Sequence, residues 1–450
     1  MVFPILGANT ESAAYDIANS LRFNDDDDPS LSRTPSSEGN RKTWTWSGWV
    51  KRGNISIDIM LLSAGSSGQG VYLTSGNKFN ITKDGVGNYG SDALLRDVSA
   101  WYHLVVAVDT TQTGMANIAK FYINGTEQST SGTTLYSTNE DTNINDDVAH
   151  YISRWSGSSA ENHHDGYLAD VNFVDGLRLD ASYFGETNDN GVWIPKKYTG
   201  SYGTNGFFLE FKQTGTSANS SGIGADTSGN DHHFTPTNLA ATDVTTDTPT
   251  NNFATLNPLS NSLQASYSEG NLNEACNDNY GVGATQAFAN GKWYWEVKIT
   301  AGDNNLVGIA NSDEQHRFTT TFGINNYSIT AYGVDGRVFR EGSTVENSGV
   351  TYGANDIVGL AVDMDSGTRA VQFYKNGSSF ASAVTLPTNW GFTLPIIRKG
   401  GSSQTSSFNF GNPAFSISSG NADANGYGNF EYAVPSGYYA LCTKNLAEYG

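Results

Sequence analysis

The chain has 450 residues, a net charge of −20, and combines 50 Gly with only 11 Pro, 23 Tyr, 22 Phe and 9 Trp. A surface of that sign repels the phosphate backbone and anionic lipid, which excludes nucleic acid and membrane surfaces as partners. No apolar run reaches the length needed to cross a bilayer, and two cysteines, Cys276 and Cys442, are too few for a disulfide framework.

The start, "MVFPILGANTESAAYDIANS", has no basic region and only a short apolar run, so it is expected not to be an export signal. Charged residues make up only 16% of the chain, and Ser, Thr and Asn stand in for them, as in extracellular and virion β-proteins. An external character without a leader implies assembly inside a cell and release by lysis. Residues 1–15 are expected to form a flexible arm or a docking peptide.

Strand patterns then follow, with amphipathic helix patterns nearly absent. "TWTWSGWVKR" (43–52) alternates, with Trp44, Trp46 and Val50 on one side. "WYHLVVAVD" (101–109), "AKFYING" (119–125) and "GYLADVNFVDG" (166–176) come next, bounded by Gly, Asn and Asp turns. Residues 213–252 are rich in Thr, Ser, Asn, Asp and Gly and poor in large apolar groups, which predicts a linker or an extended segment lying over the domains. "FATLNPL" (253–259) supplies apolar anchors for its end. A second strand set recurs in "GKWYWEVKI" (291–299), "NLVGIAN" (305–311), "SITAYGV" (328–334), "DIVGLAVD" (356–363), "AVQFYKNG" (370–377) and "SSFNFG" (406–411). The expected fold is all-β, an antiparallel β-sandwich in each half: residues 16–212 and 266–450, with the connector spanning 213–265.

One motif occurs twice, as "AVDTTQTGMANIAKFYING" (107–125) and "AVDMDSGTRAVQFYKNG" (361–377). Each copy reads as strand, polar turn, strand, and an Asn-Gly hairpin, with Asp109 and Asp363 as turn caps rather than catalysts.

On these residues the first half resembles a laminin-G/concanavalin-A-like jelly roll. The resemblance rests on "NSLRFNDDDDPSLSRT" (19–34) as an opening strand, "WTWSGWVKR", "WYHLVVAVD…FYING" and "GYLADVNFVDG". The second half resembles a SPRY domain through "GKWYWEVKI", "LVGIAN", "GANDIVGLAVDMDSGTRAVQFYKNG" and "SSFNFG". "DTPTNNFATLNPL" (247–259) and "VPSGYYALCTKNL" (434–446) are similar to segments of tail-fibre-like proteins of tailed phages. The resemblance implies a virion protein, a tail fibre or adhesin that binds host surface glycan or receptor. Its other partners would be tail or capsid proteins and further copies of itself, as a trimer in a fibre. The second reading is a capsid head-decoration protein, favoured by the lack of coiled-coil heptads, and the third is a glycan-degrading enzyme.

Chemistry-bearing motifs are sparse. "FNDDDDPS" (23–30) reads as a solvated turn, because alternate strand residues point apart and at most two of its carboxylates face one ion. "ENHHDG" (161–166) and "NDHHF" (230–234) place adjacent histidines on opposite sides, which makes no two-His chelate. Asp170 with Asp175, Asp363 with Asp365, and Asp335 are the nearest approaches to a glycosidase carboxylate pair, and none has its setting. No metal, no cofactor and no catalysis are expected. Aromatic rings flanked by polar groups suit saccharide stacking, which makes Trp155, His163, His164, Tyr327, Tyr332, Arg337, Phe339 and Arg340 the candidate binding residues.

Overall fold

The computed structural model describes residues 15–66, 68–157, 161–260, 265–276, 281–312, 327–400 and 404–450. They divide into two compact units, one within residues 15–250 and the other within residues 251–450. Each unit is a stack of two antiparallel sheets around an apolar core.

In the first unit one sheet runs in the order Thr126–Glu127, Ala119–Ile123, Trp101–Asp109, Thr43–Arg52, Gly166–Asp175, Ser20–Phe23, Val244–Thr245, with Phe207–Leu209 also paired to Gly166–Asp175. Trp44, Trp46 and Val50 point from its central strand into the core, beside Leu104, Val106 and Val108. The alternate residues Thr45, Ser47, Trp49 and Lys51 are equally buried. A third layer covers that outer face: residues 177–205 pack Leu179, Phe184 and Tyr198 onto Val105 and Val174. The opposing sheet runs Thr130–Gly132, Gly87–Ser91, Phe79–Lys83, Gln69–Leu73, Ile59–Ala64, His150–Ile152, Ser30–Arg33, Thr235–Thr237.

The opening segment differs from the expected single strand. Ser20–Phe23 lies in one sheet and Ser30–Arg33 in the other, and the aspartate run between them is the crossover. Asp25–Asp27 form one turn of 3₁₀ helix, and Asp28 closes it in the left-handed region at φ 52°.

The second unit repeats the plan. One sheet runs Ala265–Ser268, Asn273–Cys276, Gln404–Asn409, Lys292–Ala301, Ile357–Asp363, Ala370–Lys375, Ser378–Ser379. Facing it are Gly281–Gly283, Thr393–Lys399, Asn305–Asn311, Ser328–Tyr332, Arg337–Arg340 and Ser343–Asn347. Trp293, Trp295, Val297 and Ile299 enter the core, while Tyr294 on the outer face packs with Phe253, Phe430, Ala440 and Cys442. Cys442 is buried and unbridged, and burial pushes its thiol up to about 12. The side chain of Cys276 lies outside the described residues.

The expected connector is divided between the units. Ile223, Phe234 and Leu239 join the first core, and Thr235–Thr237 and Val244–Thr245 extend its two sheets. Ala254 and Leu256 belong to the second core. A few apolar anchors suffice because side-chain oxygens cap the remaining backbone: Asp226 accepts from the amides of Phe208 (2.8 Å), Ser228 (2.9 Å) and His232 (2.8 Å).

The duplicated motif is one device built twice. Asn124 and Asn376 sit at φ 47° and 49°, followed by Gly125 and Gly377 at φ 80° and 79°, the pattern of a type I′ turn. Each asparagine oxygen accepts a backbone amide of the adjoining strand, His103 at 2.8 Å and Ile357 at 2.9 Å. Asp109 caps the amide of Thr111 at 3.0 Å, and Asp363 caps those of Asp365 (3.0 Å) and Ser366 (2.9 Å). Burial alone would raise the Asp363 carboxyl. The Lys292 ammonium and Ser366 outweigh that and bring it down to about 2.

Replacing Asn124 or Asn376 by Ala removes both the tolerance for left-handed backbone and the amide cap. Each change is expected to cost roughly 1–3 kcal/mol and lower the melting temperature without altering far-ultraviolet circular dichroism; the Asn→Gly variants, which keep the turn, should lose less. Glu296 is buried and accepts from the amides of Glu431 (2.9 Å) and Tyr432 (2.8 Å), the Tyr294 hydroxyl (3.1 Å) and Asn409 (3.1 Å). Glu296→Ala strands those donors and is expected to release the 411–440 segment, read as a new cleavage site there in limited proteolysis.

Candidate functional site

In the first unit, Trp155 lies half-buried on a loop, its amide bonded to the Glu161 carbonyl at 2.8 Å. Its indole sits flat against Gly68, where a Cβ would fall 2.1 Å from the ring. His163 and His164 are both buried. The His163 Nδ1–H donates to the Pro29 carbonyl at 2.9 Å, and Nε2 lies 3.6 Å from Asp28. His164 faces the core edge-on to Phe23, with ring centroids 5.4 Å apart, and burial pushes it down to about 3. His163 therefore ties down the acidic crossover, His164 packs against the core, and both rings are buried. Their burial depends on a partner segment some 130 positions away, which local pattern does not reveal.

In the second unit three of the five candidates converge. Tyr332, Arg337 and Phe339 share the side of two neighbouring strands that faces away from the core, but Phe339 is itself buried beneath the other two. The guanidinium carbon of Arg337 lies 5.0 Å from the Phe339 ring centre and 5.8 Å from that of Tyr332. Asp335 holds the Arg337 Nε at 2.7 Å, and the Tyr332 hydroxyl donates to Asn304 at 2.9 Å. Arg340 belongs to the other side of its strand and donates to the Thr385 carbonyl at 3.3 Å. Tyr327 leads into the strand and accepts the Asn311 amide on its carbonyl at 3.0 Å. Residues 325 and 326 of this stretch, and 158–160 of the first, lie outside the described residues.

The groups that suggest chemistry have structural tasks. Asp175 accepts from the amides of Asn40 (2.8 Å) and Asn205 (3.0 Å) and from Asn145 Nδ2 (2.6 Å). Asp365 accepts the Gly291 amide at 2.7 Å. Sequence reading missed a serine–histidine pair, Ser47 Oγ and His103 Nε2, 2.9 Å apart. The Trp193 indole N–H donates to His103 Nδ1 at 3.1 Å, which leaves the ring proton on Nε2 and makes it the donor to Ser47. That polarity is the reverse of what a general base needs. Complete burial, with Trp49 stacked on the ring and Trp193 at its Nδ1 edge, drives His103 down to about 3. Among the described residues no group of three or more His, Cys, Asp or Glu is placed to hold a metal ion.

Asp170 is the exception among the carboxylates. It occupies a bulge at φ 46°, where Gly166–Asp175 exchanges its outer partner from Ser20–Phe23 to Phe207–Leu209. Burial raises its carboxyl to about 7 despite a hydrogen bond from Tyr15. Glu210 adds to the rise, and Lys212 and Lys197 oppose it.

Residues 25–182 match the concanavalin A-like lectin/glucanases superfamily, and residues 292–413 match the SPRY domain. The chain carries a concanavalin-like domain followed by a SPRY domain. Similar solved structures include the SPRY domain of human HERC1 (12% identity, 34% of this chain and 96% of that one, TM-score 0.28). The TRIM65 PSpry domain gives 16% identity over 35% and 91% of the two chains, with a TM-score of 0.29. A human SPRY domain gives 13% over 30% and 90%, with a TM-score of 0.24. No curated protein matches the chain.

Asp170 gives the concanavalin-like unit a pH dependence with a definite sign. A carboxyl raised from about 3.8 to about 7 contributes stability that is fully present below pH 4 and is lost as pH rises through 7. Asp170→Asn is expected to match the native chain in thermal melting at pH 4.5 and to exceed it by several degrees at pH 8. Its neighbours Tyr15, Tyr202, Glu210, Lys197 and Lys212 are unchanged in that comparison.

Proposed function

We propose that the chain is a non-enzymatic structural protein on the virion of a tailed phage, a tail fibre or adhesin that binds host surface glycan through its sandwich surfaces. The observation that supports this reading most is the pairing of the two segments that resemble tail-fibre-like proteins. The Ala254 amide donates to the Leu441 carbonyl at 3.1 Å, the Thr443 amide to Asn252 at 2.9 Å, and Phe253 bridges Cys442. Segments far apart in sequence thus form one closed strap on the SPRY unit. The use of buried carboxylates such as Asp175, Asp226 and Glu296 as backbone caps adds to the case against catalysis. Weak saccharide contacts repeated over several copies would give attachment by avidity.

A capsid-decorating role is the second reading. Among the described residues the longest α-helix, Thr443–Tyr449, has seven residues, so no coiled coil enforces a trimer. Quantitative mass spectrometry of purified particles separates the two. A fibre is expected in small multiples of three, and a decoration protein in the far larger numbers of an icosahedral lattice. Absence from the particle would sink both readings, and release of oligosaccharide from host polysaccharide by the purified protein would overturn the non-enzymatic one.

A further inference from the structure

The third layer of the concanavalin-like unit carries a groove of about 530 Å³ between residues 177–183 and 196–201, which lies mostly beyond the matched stretch that ends at 182. We propose that this groove is a saccharide subsite and that its ligand is a sugar bearing a carboxylate. The inference rests on the adhesin reading and gives it a place and a ligand class.

The floor is rigid. Tyr198 packs between Phe184 and Tyr202, with ring centroids 5.2 and 5.1 Å away, and its hydroxyl is pinned to the Ser201 carbonyl at 2.9 Å. Gly200 closes over that hydroxyl, where a Cβ would lie 2.3 Å from the oxygen. The walls are apolar and open: Leu177 is 43% exposed and Tyr183 49%. An exposed tyrosine ring beside an aliphatic side chain suits the C–H face of a pyranose, and the hydroxyls of Ser182, Thr199 and Ser201 line the same space.

Charge selects the ligand. The lining contains Lys196 and Lys197 and no carboxylate, in a chain of net charge −20. Lys196 donates to the Ser182 carbonyl at 3.2 Å and has only Glu186, 4.0 Å away, as a counter-ion. The Lys197 ammonium lies 6.0 Å over the Phe208 ring and within electrostatic reach of Asp170 beneath the cover. Nearby Asp180 is occupied in capping Ser182, whose amide and hydroxyl it accepts at 2.9 and 2.5 Å. An otherwise anion-repelling surface thus has a basic recess of sugar size, and an acidic sugar meets both features at once.

The test uses the full chain and isothermal titration calorimetry with trigalacturonate, neutral galactotriose and a triglutamate peptide. Trigalacturonate is expected to bind roughly tenfold or more tighter than galactotriose, a difference that shrinks in 0.5 M salt. Tyr183→Ala should abolish binding, and a Lys196→Ala, Lys197→Ala double variant should reduce trigalacturonate to the galactotriose level. All these side chains are exposed, so unchanged melting temperatures confirm intact folding. Equal affinity for the two sugars, equal affinity for triglutamate, or trigalacturonate binding that survives Tyr183→Ala would each overturn the proposal. Saccharide binding that is instead lost in Trp155→Ala or Arg337→Ala would remove the groove and leave the adhesin reading standing. Should the native chain bind none of the three, the groove falls, and the adhesin reading is then decided by the particle count.

Discussion

Carboxylates buried against backbone amides are the constraint on which the rest of this chain depends. Both sandwiches have a central sheet that is buried on two faces, and an irregular segment covers the second face. Such a segment brings amides with no ladder partner, and leaving them unpaired under a sheet costs more than any apolar contact it adds. Asp175, Asp226, Glu296 and Asp423 supply the missing acceptors. Asp423 alone takes the amides of Asn425, Tyr427 and Ala440, each at 2.9 Å, and Asn445 Nδ2 at 2.8 Å. One carboxylate with several lone pairs satisfies several amides, and each of those bonds is charge-assisted. Part of the chain's acidity is therefore internal architecture rather than surface charge. The buried pairs Lys51–Asp247 at 2.8 Å and Lys399–Glu274 extend the same use.

This constraint explains which parts of the fold were legible. Apolar alternation located the principal strands, because residues such as Trp44 and Trp46, or Trp293 and Trp295, repeat with the pleat. It did not reveal what the alternate positions face. Thr45, Ser47 and Lys51 are buried under the 177–205 and 244–250 segments, and a polar residue looks the same in sequence whether water or a buried acceptor satisfies it. How the 213–250 stretch is held was hidden for the same reason. Its order comes from Asp226 and from side-chain caps, which leave no apolar trace, and only Ile223, Phe234 and Leu239 mark its docking.

The candidate site divides along the same line. Tyr332, Arg337 and Phe339 were readable because strand periodicity and a Gly-containing turn bring them to one side of adjoining strands. The histidines were not, since exposure at 163 and 164 is decided by residues 23 to 29. The Ser47–His103 pair and its reversed polarity depend on Trp193, some ninety positions from the histidine. The groove depends on a cover layer that no local pattern announces. The duplicated Ala-Val-Asp to Asn-Gly motif was the clearest signal, because all its determinants are local: two left-handed residues, one strand-end carboxylate and one amide acceptor.

The third layers also limit where either unit can bind anything. A two-sheet sandwich normally offers its outer faces to partners, but here the outer face of each central sheet is sealed by aromatic packing, Tyr198 and Phe184 in one unit and Tyr294 and Phe430 in the other. Recognition is left to strand-edge turns and to the covers themselves. The covers are held by a few carboxylate anchors and a few apolar contacts rather than by a continuous ladder. A cover can exchange its exposed residues while Asp175 or Glu296 keeps its backbone in place. The arrangement that ties these acids to backbone amides thereby leaves the surface above them free of structural duty.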